Sequence, residues 1–118
     1  MTKQVLLALN YMHKKNVIYR DLKLENVMID IDSNEQGKPE LIIKLTDFGF
    51  SKVLETNKKE TDKLGTTLYM APELFKGIET LEYDYKVDTW ALGVMVYKML
   101  SRKYPFTGKT REQIIQKI

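Results

Sequence analysis

Asp21, Lys23 and Asn26 stand in one short stretch, Tyr19-Arg20-Asp21-Leu22-Lys23-Leu24-Glu25-Asn26. An acid, a cation and an amide at this spacing suit phosphoryl transfer. The carboxylate can orient a hydroxyl and take its proton. The ammonium can neutralise phosphate charge, and the amide oxygen can bind a hard cation such as Mg²⁺. Asp21 and Asn26 are too far apart in the chain for one tight turn. Both can face a single site only if the segment is a shaped loop pinned by Leu22, Leu24 and Val27. A second acid, Asp47, follows a β-prone run and precedes Phe48-Gly49. There it can hold a cation against phosphate, with Phe48 packing inward to fix it and Gly49 letting the chain swing.

The elements that must position these residues can be read from periodicity. Val5, Leu6, Leu9 and Met12 recur at helical spacing, which predicts an amphipathic helix over 2–15. Lys14 and Lys15 suit its C-terminal dipole, and Asn16 is a left-handed cap. His13, at the end of that helix, is expected to pack and hydrogen-bond, not to catalyse. Residues 27–31 and 41–46 are β-prone, and the turn formers from Asp32 to Glu40 join them into a hairpin over 27–46. Asp30, Asp32, Asn34 and Glu35 lack the glycine and terminal glutamate of a calcium loop, so the turn reads as a solvated one. Residues 50–70 form a long polar segment of mixed charge, of the kind that is functional or disordered in a compact domain. Pro72 opens a short helix through Phe75, stopped by Gly77. Asp84 is a candidate N-cap for a helix over 85–101 that is apolar nearly all round, as suits the middle of a core. Thr110 with Gln113 marks a capping box opening a further helix over 110–118.

These motifs together resemble the eukaryotic protein kinase catalytic domain. Residues 19–26 resemble its catalytic loop H-R-D-L-x-x-x-N, with Tyr19 in place of the usual His. Asp47-Phe48-Gly49 resembles its metal-binding tripeptide. Gly65-Thr66-Thr67-Leu68-Tyr69-Met70-Ala71-Pro72-Glu73 resembles the end of its activation segment, with Thr67 where Pro is frequent. Asp88-Thr89-Trp90-Ala91-Leu92-Gly93 is similar to the family's D-x-W-x-x-G. The resemblance spans the whole chain and implies a partial kinase domain over 1–118. The fold is α+β, mainly helical: a fragment of the large C-terminal lobe with a β-hairpin beside the catalytic loop. Lys23 and Thr66 resemble the serine/threonine branch. The hairpin length and the Tyr-Met-Ala-Pro-Glu ending look similar to calcium/calmodulin-dependent and Unc-51-like kinases.

Residue by residue, the resemblance implies Asp21 as the catalytic base and Lys23 as support for the γ-phosphate of ATP. Asn26 and Asp47 would hold Mg²⁺. Met28 would lie under the adenine, with Met95 and Met99 continuing that apolar column. Tyr19, Phe48, Glu73 and Asp88 would be structural supports, Asp88 by holding backbone amides of the catalytic loop. Thr66 would bond the catalytic Asp and Lys. The activation segment would span 47–73. Arg20 would pair with a negative charge there: Asp62, at the usual phosphoacceptor position, or a phosphate on Thr61. Glu25 matches a position that often accepts a basic substrate residue, while Lys98 stands where relatives that prefer basic substrates keep an acid.

The resemblance also implies partners for this chain: an N-terminal lobe with its Gly-rich loop before Met1, and further C-terminal helices beyond Ile118. It implies a protein substrate and ATP. The expectation for the 118-residue chain alone is therefore inactivity, and the competing reading is a truncated or pseudokinase-like interaction module. Composition sets the outer bounds. An apolar content of 43% and a charged content of 30% are those of a globular domain. A net charge of +3 argues against a dedicated nucleic-acid or membrane surface. The chain has no cysteine, hence no disulfide framework and no thiolate site, which fits an intracellular, cytoplasmic setting. No apolar run approaches a membrane span or a signal-peptide core.

Overall fold

The computed structural model describes residues 1–33, 36–53, 66–75 and 84–118. Thr61, Asp62, Gly65 and Gly77 lie outside the described residues. Helix α1 spans Thr2–Lys14. Its buried face is Val5 and Leu9, with Met12 packed against the same core, whereas Leu6 is about half exposed. The expected stripe is therefore narrower by one residue. Position 6 falls outside the row 5, 9, 12, which alone keeps to one face at 3.6 residues per turn. Asn16 turns the chain out of the helix with φ 57°, a left-handed conformation that Asn tolerates better than most residues.

Strand β1, Val17–Ile18, follows. A 3₁₀ turn, Leu24–Asn26, leads into β2, Val27–Ser33, which pairs antiparallel with β3, Pro39–Leu45. The register joins Val27 to Leu45, Ile29 to Ile43 and Ser33 to Pro39. Both strands run beyond the apolar runs read from sequence, because the ladder continues through residues too exposed to carry a hydrophobic signal. Pro39 takes the outermost pair, where a missing N–H costs least. Gly37, with φ 71°, turns the chain between the strands. Gln4 of α1 fastens the hairpin: its Oε1 accepts from Ile43 N at 2.7 Å, and its Nε2 donates to the Leu41 carbonyl at 2.9 Å.

Strand β4, Lys52–Val53, pairs antiparallel with β1. Two 3₁₀ turns, Thr67–Tyr69 and Pro72–Phe75, precede helix α2, Lys86–Ser101. Asp84 caps α2 from one residue further out than a standard N-cap, accepting from Lys86 N at 2.7 Å. Arg102 ends it in the left-handed region, φ 59°. Val87, Asp88, Ala91, Leu92, Val94 and Met95 are buried. The opposite side is not: Leu100 is 84% exposed and Tyr97 about half. The helix is apolar nearly all round, as its sequence reads, and this side of it stays open among the described residues. An apolar groove of about 590 Å³ opens there, with Trp90 stacked on Phe106 at 5.9 Å and Glu73 at its margin. Helix α3, Arg111–Ile115, has the expected cap, Thr110 Oγ1 accepting from Gln113 N at 3.3 Å, while Gln113 Oε1 reaches one residue past the cap and accepts from Lys109 N at 2.8 Å. Among the described residues, no helix is long and apolar enough to cross a membrane.

The core joins α1, the loop after β1 and α2 through Val5, Leu9, Tyr19, Leu22, Tyr69, Ala91, Leu92, Val94 and Met95. A second cluster, Ile18, Met70, Ala71, Leu74 and Val87, seats the turns that follow residue 66. The loop 19–26 is rooted in the first cluster through Tyr19 and Leu22, and Ile18, just before it, belongs to the second.

Candidate active site

The loop 19–26 is fixed from below by a buried carboxylate. Asp88, in the first turn of α2, is 1% exposed. Its Oδ1 accepts from Arg20 N at 2.8 Å, and its Oδ2 accepts from Tyr19 N at 2.9 Å and from His13 Nε2 at 2.8 Å. A carboxylate this deep is tolerable only when its lone pairs are matched by donors, as they are here. Arg20 takes φ 69°, a costly value for a residue with a Cβ, and the Asp88 bonds on either side hold it there. The distortion turns the chain so that Asp21 and Leu22 enter the site and the core respectively, 4% and 2% exposed.

Above this base three side chains converge. Lys23 Nζ donates to Asp21 Oδ2 at 2.6 Å. Asn26 Nδ2 donates to the same Oδ2 and to the Asp21 carbonyl, each at 2.9 Å. Asn26 is buried, 6% exposed, and Lys23 reaches in from the surface. Oδ2 takes both donors and Oδ1 lies outside both bonds. The carboxylate is thus oriented before any substrate arrives, which is what a positioned proton acceptor needs.

Asp47 stands beside this loop through its neighbour Thr46. Thr46 N and Oγ1 donate to the Asn26 carbonyl at 3.0 and 3.2 Å, and the Tyr19 hydroxyl donates to the Thr46 carbonyl. Asp47 itself is exposed, with φ 57°, and its Oδ1 accepts from Gly49 N at 3.3 Å. Phe48 meets the Tyr19 ring edge-on at 5.4 Å yet is 53% exposed. The inward packing expected of Phe48 is therefore corrected: its ring meets Tyr19 edge-on while about half of the residue faces solvent. Burial, offset in part by its bond with Asn26 and reinforced by the charges of Asp21, Asp47 and Asp88, pushes the Tyr19 phenol up to about 12. Three carboxylates thus lie near enough to act on one hydroxyl. Asn26 spends its amide N–H groups on Asp21, which leaves its amide oxygen. That oxygen and the exposed Asp47 carboxylate are hard-oxygen donors of the type Mg²⁺ takes.

The remaining residues fall into place around this centre. Thr66 and Asp21 line one cavity of about 20 Å³, room for roughly one water, but Thr66 makes no hydrogen bond to Asp21 or Lys23 among the described residues. That corrects the bond expected of it. The Thr66 carbonyl instead accepts from Tyr69 N at 2.8 Å, which draws the 3₁₀ turn closed. Met28 is 57% exposed on β2, Met95 is fully buried, and Met99 packs against the core. Glu73 is half-buried at the groove of Trp90. Sequence reasoning missed Thr46, whose signal is only a β-prone polar residue before an acid. It also missed Ser51, whose Oγ donates to the Tyr19 carbonyl at 3.3 Å.

The protein kinase domain family matches residues 1–118. This chain belongs to that family. Calcium-dependent protein kinase 4 of Plasmodium berghei (strain Anka) is 43% identical over 98% of the chain and 20% of its own length. Serine/threonine-protein kinase akt-2 of Caenorhabditis elegans is 38% identical, over 98% and 20%. Serine/threonine-protein kinase AtPK2/AtPK19 of Arabidopsis thaliana is 38% identical, over 99% and 22%. The chain thus spans about a fifth of the length of these relatives. The kinase family generally uses Mg²⁺ with ATP and acts on proteins.

Proposed function

We propose that this chain is the part of a serine/threonine protein kinase that carries its proton acceptor and its cation-holding residues, from the large C-terminal lobe. The reaction would move the γ-phosphate of ATP to a serine or threonine hydroxyl of a protein. The observation that carries the reading is the Asp21 carboxylate, held by Lys23 at 2.6 Å and Asn26 at 2.9 Å on a loop anchored by Asp88. In this reading Asp21 accepts the hydroxyl proton as the oxygen attacks phosphorus. Lys23, already beside that carboxylate, offers its charge to the transferring phosphoryl group. Asn26 and Asp47 would hold Mg²⁺, which supplies charge neutralisation on the phosphates. Arg20 would answer a negative charge on the activation segment. The serine/threonine-kinase names of the relatives support the substrate class, and the lack of cysteine fits a cytoplasmic protein.

The test is Asp21→Asn in the full-length parent protein. Phosphate transfer should fall by at least about 10², while nucleotide affinity stays within about threefold, because the acid acts on the hydroxyl. Near-normal turnover by Asp21→Asn would remove Asp21 from this role. A second reading applies to the isolated chain, an interaction module without activity. The open groove lined by Trp90 and Phe106 favours it.

A further inference from the structure

The sheet of β2 and β3 has two strands, so β3 has a second edge with no strand on it among the described residues. The Gln4 side chain occupies that edge. A primary amide carries a donor and an acceptor side by side, as a peptide group does. Here it takes two groups that β3 turns outward, the Ile43 N–H at 2.7 Å and the Leu41 carbonyl at 2.9 Å. They stand two residues apart, the spacing at which one residue of an added parallel strand would bond. One bond would leave the strand free to swivel, whereas two at this spacing fix its height and its tilt against α1. The brace is rigid at its root. Gln4 is half-buried and precedes Val5, which is fully buried in the core.

What that height governs follows from the alternation of side chains along the strands. Val27, Ile43 and Leu45 turn one face of the hairpin to the core. Met28, Asp30 and Lys44 belong to the other face, where Lys44 Nζ meets Asp30 Oδ2 at 2.6 Å. The core supports the base of the hairpin, and on β2 every residue past Val27 is exposed. Gln4 holds the hairpin further out, at the pairs Ile29–Ile43 and Ile31–Leu41. Met28 lies between the base pair Val27–Leu45 and the first braced pair. β3 in turn runs through Leu45 and Thr46 directly into Asp47. One side chain of α1 thus governs, through β3, where Met28 and Asp47 stand.

We propose that Gln4 is a positioning residue of the nucleotide site, its amide standing in for a third strand and setting the height at which the hairpin offers Met28 to the adenine and Asp47 to the cation. The proposal rests on the kinase reading above. It assigns Gln4 an effect on MgATP affinity and none on the hydroxyl acceptor. Asp21 is held by a separate set of bonds, to Lys23 and Asn26, on a loop anchored by Asp88.

The test uses the full-length parent, with peptide kinetics and calorimetric titration of the magnesium complex of a non-hydrolysable ATP analogue. Gln4→Leu keeps the bulk of the side chain and loses both bonds. It should weaken the analogue and raise KM for ATP by at least about fivefold, with kcat and KM for the peptide each within about twofold of wild type. Gln4→Glu is the second variant. Ionised, it sets an oxygen against the Leu41 carbonyl; protonated, it again has one donor and one acceptor. Its Kd relative to wild type should therefore fall at least about twofold from about pH 8 to about pH 5, as the half-buried carboxyl takes up its proton. Thr110→Ala removes the cap of α3 and is the control for lost stability alone, with both nucleotide readouts within about twofold of wild type. Nucleotide affinity within about twofold of wild type in Gln4→Leu overturns the proposal. So does a loss of kcat in step with that of affinity, which is what a purely structural brace would give, and so does a Gln4→Glu ratio that does not move with pH. A wild type that binds the analogue but transfers no phosphate fails the kinase reading and leaves the affinity comparison to decide this proposal. A wild type that binds no nucleotide overturns both.

Discussion

The loop 19–26 and the turn 46–50 both present an acid to the same site, and they are built in opposite ways. Asp21 and Asn26 are buried, their polar atoms meet each other, and the backbone beneath them is held by Asp88. Asp47 and Phe48 are exposed and held mainly through Thr46. The first region is set before ligand arrives. The second is held at its ends and leaves the Asp47 and Phe48 side chains largely exposed. A proton acceptor must be aimed within tenths of an ångström, whereas a cation ligand completes its geometry with the cation it binds.

This contrast can be broken hardest at its buried end. Asp88→Ala in the full-length parent strips acceptors from Tyr19 N, Arg20 N and His13 at once. It should cost about 3–5 kcal/mol, the scale for removing one partner of a buried charged cluster, read as a fall in the urea midpoint. A loss under about 1 kcal/mol would mean the loop does not depend on this anchor. Asp47→Asn should do the reverse. Its exposure keeps the stability change within about 0.5 kcal/mol, while nucleotide affinity in the presence of Mg²⁺ weakens about tenfold or more. Calorimetric titration with and without Mg²⁺ separates the two effects.

The smallest effect sharpens the comparison where the regions join. Tyr19→Phe deletes the hydroxyl bonded to the Thr46 carbonyl and should cost about 1 kcal/mol at neutral pH. Its pH dependence is more telling. The unfolded phenol titrates near its ordinary 10.0, the folded one near 12. Between those values the unfolded state has released a proton that the native state keeps, so stability falls as pH rises. That stability is complete below about pH 10 and lost by about pH 12. In Tyr19→Phe the decline over this window should be shallower, with the contribution of Tyr69 remaining. Parallel alkaline curves for the two proteins would contradict the burial of this hydroxyl.

What could be read from sequence follows from where each signal is stored. The meeting of Asp21, Lys23 and Asn26 was legible because all three lie on one short loop whose Leu22 must go inside. The hairpin was legible from two apolar runs around turn formers, but not its full length, since Asp32 and Ser33 pair through backbone alone. Asp88 lies far along the chain, and by its own position reads only as an acid in a first helical turn. Its contact with the loop came from resemblance. Thr46 acts largely through main-chain groups that its side chain does not advertise. The exposure of Phe48, Leu6 and Leu100 was hidden because burial belongs to the neighbours and not to the residue. The bonds that Lys98 Nζ donates to the Tyr69 and Tyr104 hydroxyls were hidden likewise, because the three residues come from separate segments.

Tyr19 bonds both ends of the short span that carries Asp47. Its hydroxyl takes the Thr46 carbonyl, and its own carbonyl takes Ser51 Oγ. Residues 47–50 are therefore an arc between two abutments that belong to one residue. Lengthening such an arc costs little in closure entropy, about 0.6 kcal/mol for each doubling, so an inserted residue would leave the abutments standing. It would nevertheless lift the crown. Tyr19 thus acts as a gauge for this span, and a change in the length of the span would displace the Asp47 carboxylate well before it unfolded the protein.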